Sequence, residues 1–289
     1  RFFAVVVLTV ASFTYVTAQI NATGTIASRA LLIPFEVGVW FGLLGILLCS
    51  MLGGMRAVTW TQVAQYIVLI VAYLVPVIWM SNKQGFGLIP QLVYGDAIMR
   101  ITELEQLHGL GTLEAVEGAK AGLKALTVPF VAAGTDALSS WKFVTLVLCM
   151  MAGTASLPHI LMRYFTTPSV KAARQSVAWS LFFIFLLYFT APALATFTKL
   201  QILDPNLATG IIGKSIEEVM ALEWIQKWSS VGFAQVIDAN GDGILQLNEF
   251  FMRGDIVVLA TPEIAGLPYV ISGLVAAGGM AAAMSTADG

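Results

Sequence analysis

Residues 177–198, VAWSLFFIFLLYFTAPALATFT, run on without one charged side chain. As a helix rising about 1.5 Å per residue, the stretch reaches about 33 Å, enough to cross about 30 Å of hydrocarbon. Lipid offers the backbone no hydrogen-bond partners, so a segment of this kind must satisfy its own N–H and C=O groups, and a helix does so. The stretches 2–28, 35–52, 60–81, 141–160 and 266–289 repeat the pattern, with 35–52 the shortest fit to a bilayer. Six such segments predict an all-α polytopic membrane protein.

The composition agrees. Of 289 residues, 58% are hydrophobic; leaving out the 7 Tyr and adding the 26 Gly gives about 65%, against about 45–50% in soluble domains. Charged residues make up 11%, where about 25% is typical. That is too little charge to cover a water-facing surface, which excludes an ordinary soluble enzyme, a disordered chain and a nucleic-acid partner, and makes the lipid bilayer the expected surroundings. Cys49 and Cys149 lie in apolar runs and suggest neither a disulfide framework nor a redox motif. With no initiator Met before Arg1 and a helical pattern still running at Gly289, residues 1–289 are expected to be a single transmembrane domain, part of a longer polytopic protein.

Charge is sorted between the connections. If the first helix starts in the cytoplasm, the inner side receives Arg1, Arg56, Arg163, Lys171 and Arg174 without a carboxylate among them. The two long connections, 82–140 and 199–265, then lie outside with the other basic residues and nearly all of the acids, as the positive-inside bias requires. Within the second, SIEEVMALEWIQKWS at 215–229 reads as one amphipathic helix at the interface or in a cap, with Ile216, Val219, Leu222 or Glu223, and Trp228 around a face.

Four groups of residues could carry chemistry. DANGDGILQLNE at 238–249 has the order of an EF-hand-like calcium loop: Asp238, Asn240, Asp242 and Glu249 at positions 1, 3, 5 and 12, and Gly243 at the turn position. Ile244 would offer its backbone carbonyl and Gln246 would act through water, giving a structural calcium ion in the 199–265 loop; the alternative is an Asx-rich turn without metal. In AAAMSTADG at 281–289, Ser285 and Thr286 bring hydroxyl oxygens among small residues, and Asp288 is an ionisable group in the membrane or at its mouth. In GTASLPHILMR at 153–163, Gly153 and Pro158 are expected to break the helix, with Thr154, Ser156 and His159 as polar atoms along a pathway, or to mark a kink at the bilayer edge. No acid orients His159 and no nucleophile elbow surrounds Ser156, so an enzyme is not expected. On the first helix Thr9, Ser12, Tyr15 and Gln19 form a polar stripe that should face protein or a wet cavity.

GGMRAVTWTQVAQ at 53–65, GTASLPHILMRYFTTPSVKAARQSV at 153–177 and AAAMSTADG at 281–289 resemble the sodium:solute symporter family, most closely its acetate-permease-like (cation/acetate symporter) branch. The likeness extends over essentially the whole chain, and the calcium-type loop resembles a feature of one bacterial subgroup. It implies a leucine-transporter-type inverted-repeat fold, of which these six helices would be core helices three to eight, a partial set without the first two. By the same resemblance Ala282, through its carbonyl, and Ser285 and Thr286 would bind sodium.

The resemblance further implies a sodium-coupled symporter in a bacterial inner membrane, importing a small organic anion such as acetate, propionate or pyruvate. Ser12, Tyr15, Gln19, Thr154, Ser156, His159 and Asp288 are its candidate pathway residues. GTASLPH lacks the polar residues of sugar-transporting relatives, which argues against a sugar. The alternatives are another solute such as proline, proton coupling through Asp288, or a membrane sensor that binds without transporting.

Overall fold

The structure is a computed structural model that describes residues 2–110, 112–113, 116–131, 137–156 and 167–288, with backbone alone at 49–50, 53, 55–56, 137–139 and 288. Among the described residues, four helices are long and apolar enough to span a bilayer: Phe2–Leu31, Ala57–Lys83, Val170–Leu203 and Tyr269–Ala287. Phe35–Leu48 and Ser140–Ala155 are shorter apolar helices. Each of the six predicted segments is thus helical over most of its described residues, and the chain is an all-α polytopic membrane protein.

Helix α1 (Phe2–Leu31) turns into α2 (Phe35–Lys83) through Leu32, whose φ of 54° is left-handed, and Pro34. The Ser28 hydroxyl donates to the Ile33 carbonyl at 2.8 Å and closes that turn. Helix α2 carries one non-helical residue, Gly54, with φ 59° and ψ −174°. Gly45, before it, lies against Met284, while Gln62, after it, bonds the carbonyl of Ser285 next door. On a straight helix Gly45 and Gln62 would be about 25 Å apart. Gly54 therefore reverses the chain, and the connection expected over 53–59 shrinks to that one residue, a conformation a side chain would resist.

Helix α4 (Ala137–Ala155) runs through Gly153, so Gly153 does not break it; Pro158 and His159 lie outside the described residues. Helix α5 starts at Val170 rather than 177, where Ser169 caps it by accepting the Ala172 N–H at 3.1 Å, and ends at Leu203. At about 51 Å it is too long for the bilayer alone. Its last turns, from Thr190 onward, are buried in a cap instead.

That cap joins the two long connections at one end of the bundle. It contains α3 (Pro90–Leu107), α6 (Ile216–Met220), α7 (Glu223–Ser230), α8 (Val257–Ile264) and a three-stranded antiparallel sheet. The strands, β1 (Lys124–Ala125), β2 (Ala234–Val236) and β3 (Phe250–Met252), run in the order β1-β3-β2, with Ala125 opposite Phe251 and Val236 opposite Phe250. Trp228, Phe197, Phe250, Ile211, Leu245 and Leu247 are among the fully buried residues here. The densest apolar core thus lies in the cap, because water must be excluded there by protein, whereas along the bundle the exposed Phe, Leu and Val side chains are suited to lipid.

The helix expected over 215–229 is two helices, broken at Ala221 and Leu222. On one continuous helix Val219 and Trp228 would point in opposite directions. The break lets Val219, Trp224, Ile225 and Trp228 all enter the same core. Polar ties reinforce the cap: Lys199 pairs with Glu105, whose carboxylate accepts the Phe130 N–H at 3.0 and 3.2 Å, and Thr198 and Thr261 share a buried hydroxyl bond of 3.0 Å.

Candidate functional site

The last helix, α9 (Tyr269–Asp288), packs along the second half of α2. Gly278 permits the approach: a Cβ there would stand 2.5 Å from the Cβ of Ala72. At the other end Gln62, 7% exposed, donates its Nε2 hydrogen to the Ser285 carbonyl at 2.6 Å. Thr286 Oγ1 donates to the Ala282 carbonyl at 3.1 Å, so two of the three oxygens predicted to bind sodium lie side by side on one helical turn. Ser285 and Thr286 are half-buried. The cluster offers small residues, hydroxyls and carbonyls, oxygen types that a hard cation or water can use.

Of the other pathway candidates, Ser12, Tyr15 and Gln19 belong to α1 and Thr154 to α4. Ser12 and Tyr15 are exposed and Gln19 is half-buried on α1. Thr154, on α4, and Ser156, just past its end, are exposed, and their hydroxyls return to the helix, to the Met150 carbonyl at 2.8 Å and the Ala152 carbonyl at 2.9 Å. His159 and the side chain of Asp288 lie outside the described residues.

The 238–249 loop folds on itself. The Asp238 carboxylate accepts the N–H groups of Gly241 at 2.8 Å and Gly243 at 3.3 Å, and both glycines have the left-handed φ, 74° and 72°, that a tight turn of this kind needs. Asn240 Oδ1 accepts from Asp242 N–H, Asp242 Oδ1 from Ile244 N–H, and Glu249 from the N–H groups of Ala239 and Gln246. Leu245 is fully buried and bonds Lys214 and Gly213 through its backbone, which docks the loop on the cap. The Ile244 N–H, with help from the Asn240 and Gln246 side chains, holds the Asp242 carboxyl below its ordinary value of 3.8. Donor types and order suit calcium, yet the carboxylates are engaged with the loop's own N–H groups. Among the described residues no three Asp, Glu, His or Cys side chains gather as a metal-holding group.

Two features lie beyond the residues that motif and period single out. Gln62 sits inside a motif without standing out from it, although a polar side chain in an apolar helix is itself a signal. The other is a knot at the cap: Arg29 Nη2 bonds both Glu263 oxygens, at 2.8 and 3.0 Å, Trp228 Nε1 donates to Glu263 at 2.8 Å, and the Arg29 guanidinium sits 5.0 Å above the Trp228 ring. Nothing local in the sequence links residues so far apart.

A model of the sodium:solute symporter family matches residues 1–222. An uncharacterized symporter of Cupriavidus necator is 38% identical over 369 aligned positions, which cover 100% of this chain and 53% of that protein. A monocarboxylic acid transporter of Corynebacterium glutamicum is 28% identical over 180 positions, 60% of this chain and 30% of its own. An uncharacterized symporter of Bacillus subtilis is 25% identical over 234 positions, 77% of this chain and 40% of its own. The chain thus spans about half the length of the Cupriavidus relative and less of the other two. No solved structure matches it.

Proposed function

The chain belongs to the sodium:solute symporter family, whose members are transporters and not enzymes, and on that premise we propose that it forms part of a sodium-coupled importer of a small organic anion. One observation carries the coupling: the Ala282 carbonyl and Thr286 hydroxyl lie 3.1 Å apart on a helix whose Ser285 carbonyl is fixed by Gln62. Oxygen ligands without a competing charge suit sodium, with Ala282, Ser285 and Thr286 as its ligands. The substrate reading, acetate or another short monocarboxylate, is supported by the resemblance to the acetate-permease-like branch and by the relative named a monocarboxylic acid transporter.

In this reading the six membrane helices are core helices three to eight of an inverted-repeat transporter, and the cap formed by 82–140 and 199–265 faces outward from a bacterial inner membrane. Single cysteines at Ser169 and Asn206 should then react with an impermeant reagent from opposite sides. Calcium at 238–249 would brace the cap, held by Asp238, Asn240, Asp242, Ile244, Gln246 and Glu249; a melting temperature indifferent to calcium would remove that ion from the proposal. The deciding experiment is uptake of radiolabelled acetate and propionate by the full-length protein in proteoliposomes. An inward sodium gradient should drive accumulation, and uptake indifferent to sodium would sink the coupling. Uptake driven by a proton gradient and lost in Asp288→Asn, or accumulation of proline instead, would favour the alternative symporters.

A further inference from the structure

Two cavities, of about 280 and 350 Å³, adjoin where the cap meets the bundle and share Lys227, Glu263, Tyr269 and Ser272 in their walls. Each is also lined by a residue with a buried N–H donor that has no hydrogen-bond partner. In the first it is Arg29, whose Nε is unpaired although Nη2 holds both Glu263 oxygens. In the second it is Trp224, 5% exposed, whose Nε1 is unpaired. An indole and a guanidinium donate and do not accept, so the missing partner is an acceptor. Buried polar atoms nearly always find one. A lone water would need two to four polar partners of its own, and the apolar lining of Ile26, Ala30, Leu259 and Ala276 supplies none. Trp224 and Trp228 are i, i+4 neighbours on α7, and the Arg29 guanidinium lies 5.0 Å from the Trp228 ring, which brings both donors within reach of one headgroup.

Depth in the membrane says where that acceptor comes from. Helix α9 has 20 residues and rises about 30 Å, the thickness of the hydrocarbon, so its first turn, with Tyr269 and Ser272, stands at headgroup level on the cap side. The neighbouring Leu31, Leu32 and Val270 and the Tyr269 ring are exposed, as suits a rim that meets lipid. Charge narrows the choice of lipid. Arg29 answers Glu263 and Lys227 answers Glu223, so the cleft is neutral and matches a zwitterion. The second pair is exposed, 45% for Lys227 and 78% for Glu223, and such pairs are worth little. Lys227 is therefore free to turn to a phosphate and leave Glu223 for an ammonium. We propose that the cleft binds the head of a phosphatidylethanolamine-type lipid from the leaflet on the cap side. Its phosphodiester and glycerol-ester oxygens take Arg29 Nε, Trp224 Nε1 and Lys227, its primary ammonium takes Glu223, and the apolar lining takes the first methylenes. The inference needs only the membrane class of the chain and not the sodium coupling.

The test is the melting temperature of the purified full-length protein in detergent, followed by circular dichroism as dioleoyl-phosphatidylethanolamine is added. The rise should saturate. Dioleoyl-phosphatidylglycerol, which has the phosphate and no ammonium, should require a higher concentration, and dioleoylglycerol, which has neither, should give no saturable rise. Trp224→Phe keeps a ring beside Phe250 and removes one donor, and should raise the half-saturating phosphatidylethanolamine concentration about 5- to 150-fold. Lys227→Gln, at an exposed position, should raise it too, and carries the test if Trp224→Phe does not fold. Glu223→Gln should bring phosphatidylethanolamine down to the level of phosphatidylglycerol. If dioleoylglycerol stabilises as well as the phospholipids, or if Trp224→Phe and Lys227→Gln both respond as the wild type does, the headgroup site is overturned. Inorganic phosphate or acetate giving the same saturable rise, equally lost in Lys227→Gln, would make the cleft a site for free anions and overturn the lipid. Equal half-saturation by the two phospholipids would overturn the zwitterion and its ammonium on Glu223.

Discussion

Thr286 is where coupling and packing can be told apart. Its hydroxyl already has a partner in the Ala282 carbonyl, so Thr286→Ala removes an oxygen from the proposed sodium shell without opening the α2 contact, which Ala72 and Gly278 make further along. The expected cost is about 1–3 kcal/mol in sodium binding, about 5- to 150-fold. Because coupling is reciprocal, solute affinity should recover at saturating sodium. A half-saturating sodium concentration equal to that of the wild type would leave the residue with a packing role. Asp242 is a residue whose protonation bears on the cap. Its carboxyl is held below 3.8 chiefly by the Ile244 N–H, so its contribution to loop stability is complete above that value and fades as the pH falls through the lower folded-state pKa. Asp242→Asn should remove that acid-dependent component from the melting curve below about pH 4, a range to be scanned by tryptophan fluorescence. A curve with the same acid limb would show that other carboxylates set it.

At the scale of the element, contacts between helices decide more than helix propensity does. Gly278 and Gly273 are two turns apart at most on α9, and Ala is the better helix former at both by about 1 kcal/mol. A Cβ at Gly278 would meet Ala72 at 2.5 Å, whereas one at Gly273 would meet nothing within 4 Å. Gly278→Ala should therefore destabilise by about 1–3 kcal/mol through overpacking, and Gly273→Ala should be neutral or stabilising. Melting temperatures of the two variants in detergent should differ in that order, and equal values would mean that α2 and α9 part easily. The same logic explains the cap helices. The apolar period finds Val219 and Trp228 but passes over Trp224 and Ile225, which are buried as well, and a helix-long stripe cannot turn Val219 and Trp228 to one core, so the chain breaks between them.

Across the whole molecule, the Arg29–Glu263–Trp228 knot fastens the cap to the end of α1. Both charges are mostly buried, with side-chain exposures of 15% for Arg29 and 22% for Glu263. Glu263→Gln leaves the guanidinium without its counter-charge, which should cost about 1–3 kcal/mol, less than the roughly 3–5 kcal/mol of a fully buried pair. Arg29→Met with Glu263→Leu should recover part of that loss, because removing both charges spares the desolvation of either. Limited proteolysis of the cap would read the effect. If Glu263→Gln is cut no faster than the wild type, the core of the cap holds it without the knot.

The sequence by itself determined the membrane class, the six apolar helices and the internal order of the 238–249 loop. Each is a property of neighbouring residues: transfer to lipid is set side chain by side chain, and a twelve-residue turn closes on its own N–H groups. Only the tertiary structure decided that Gly54 folds α2 back on itself and that strands from both long connections share one sheet. It alone brought Gln62 to Ser285 and Arg29 to Glu263, across 223 and 234 positions of sequence. Such pairs are settled by which helices pack and where small residues let them approach, and that geometry is not written in any local period.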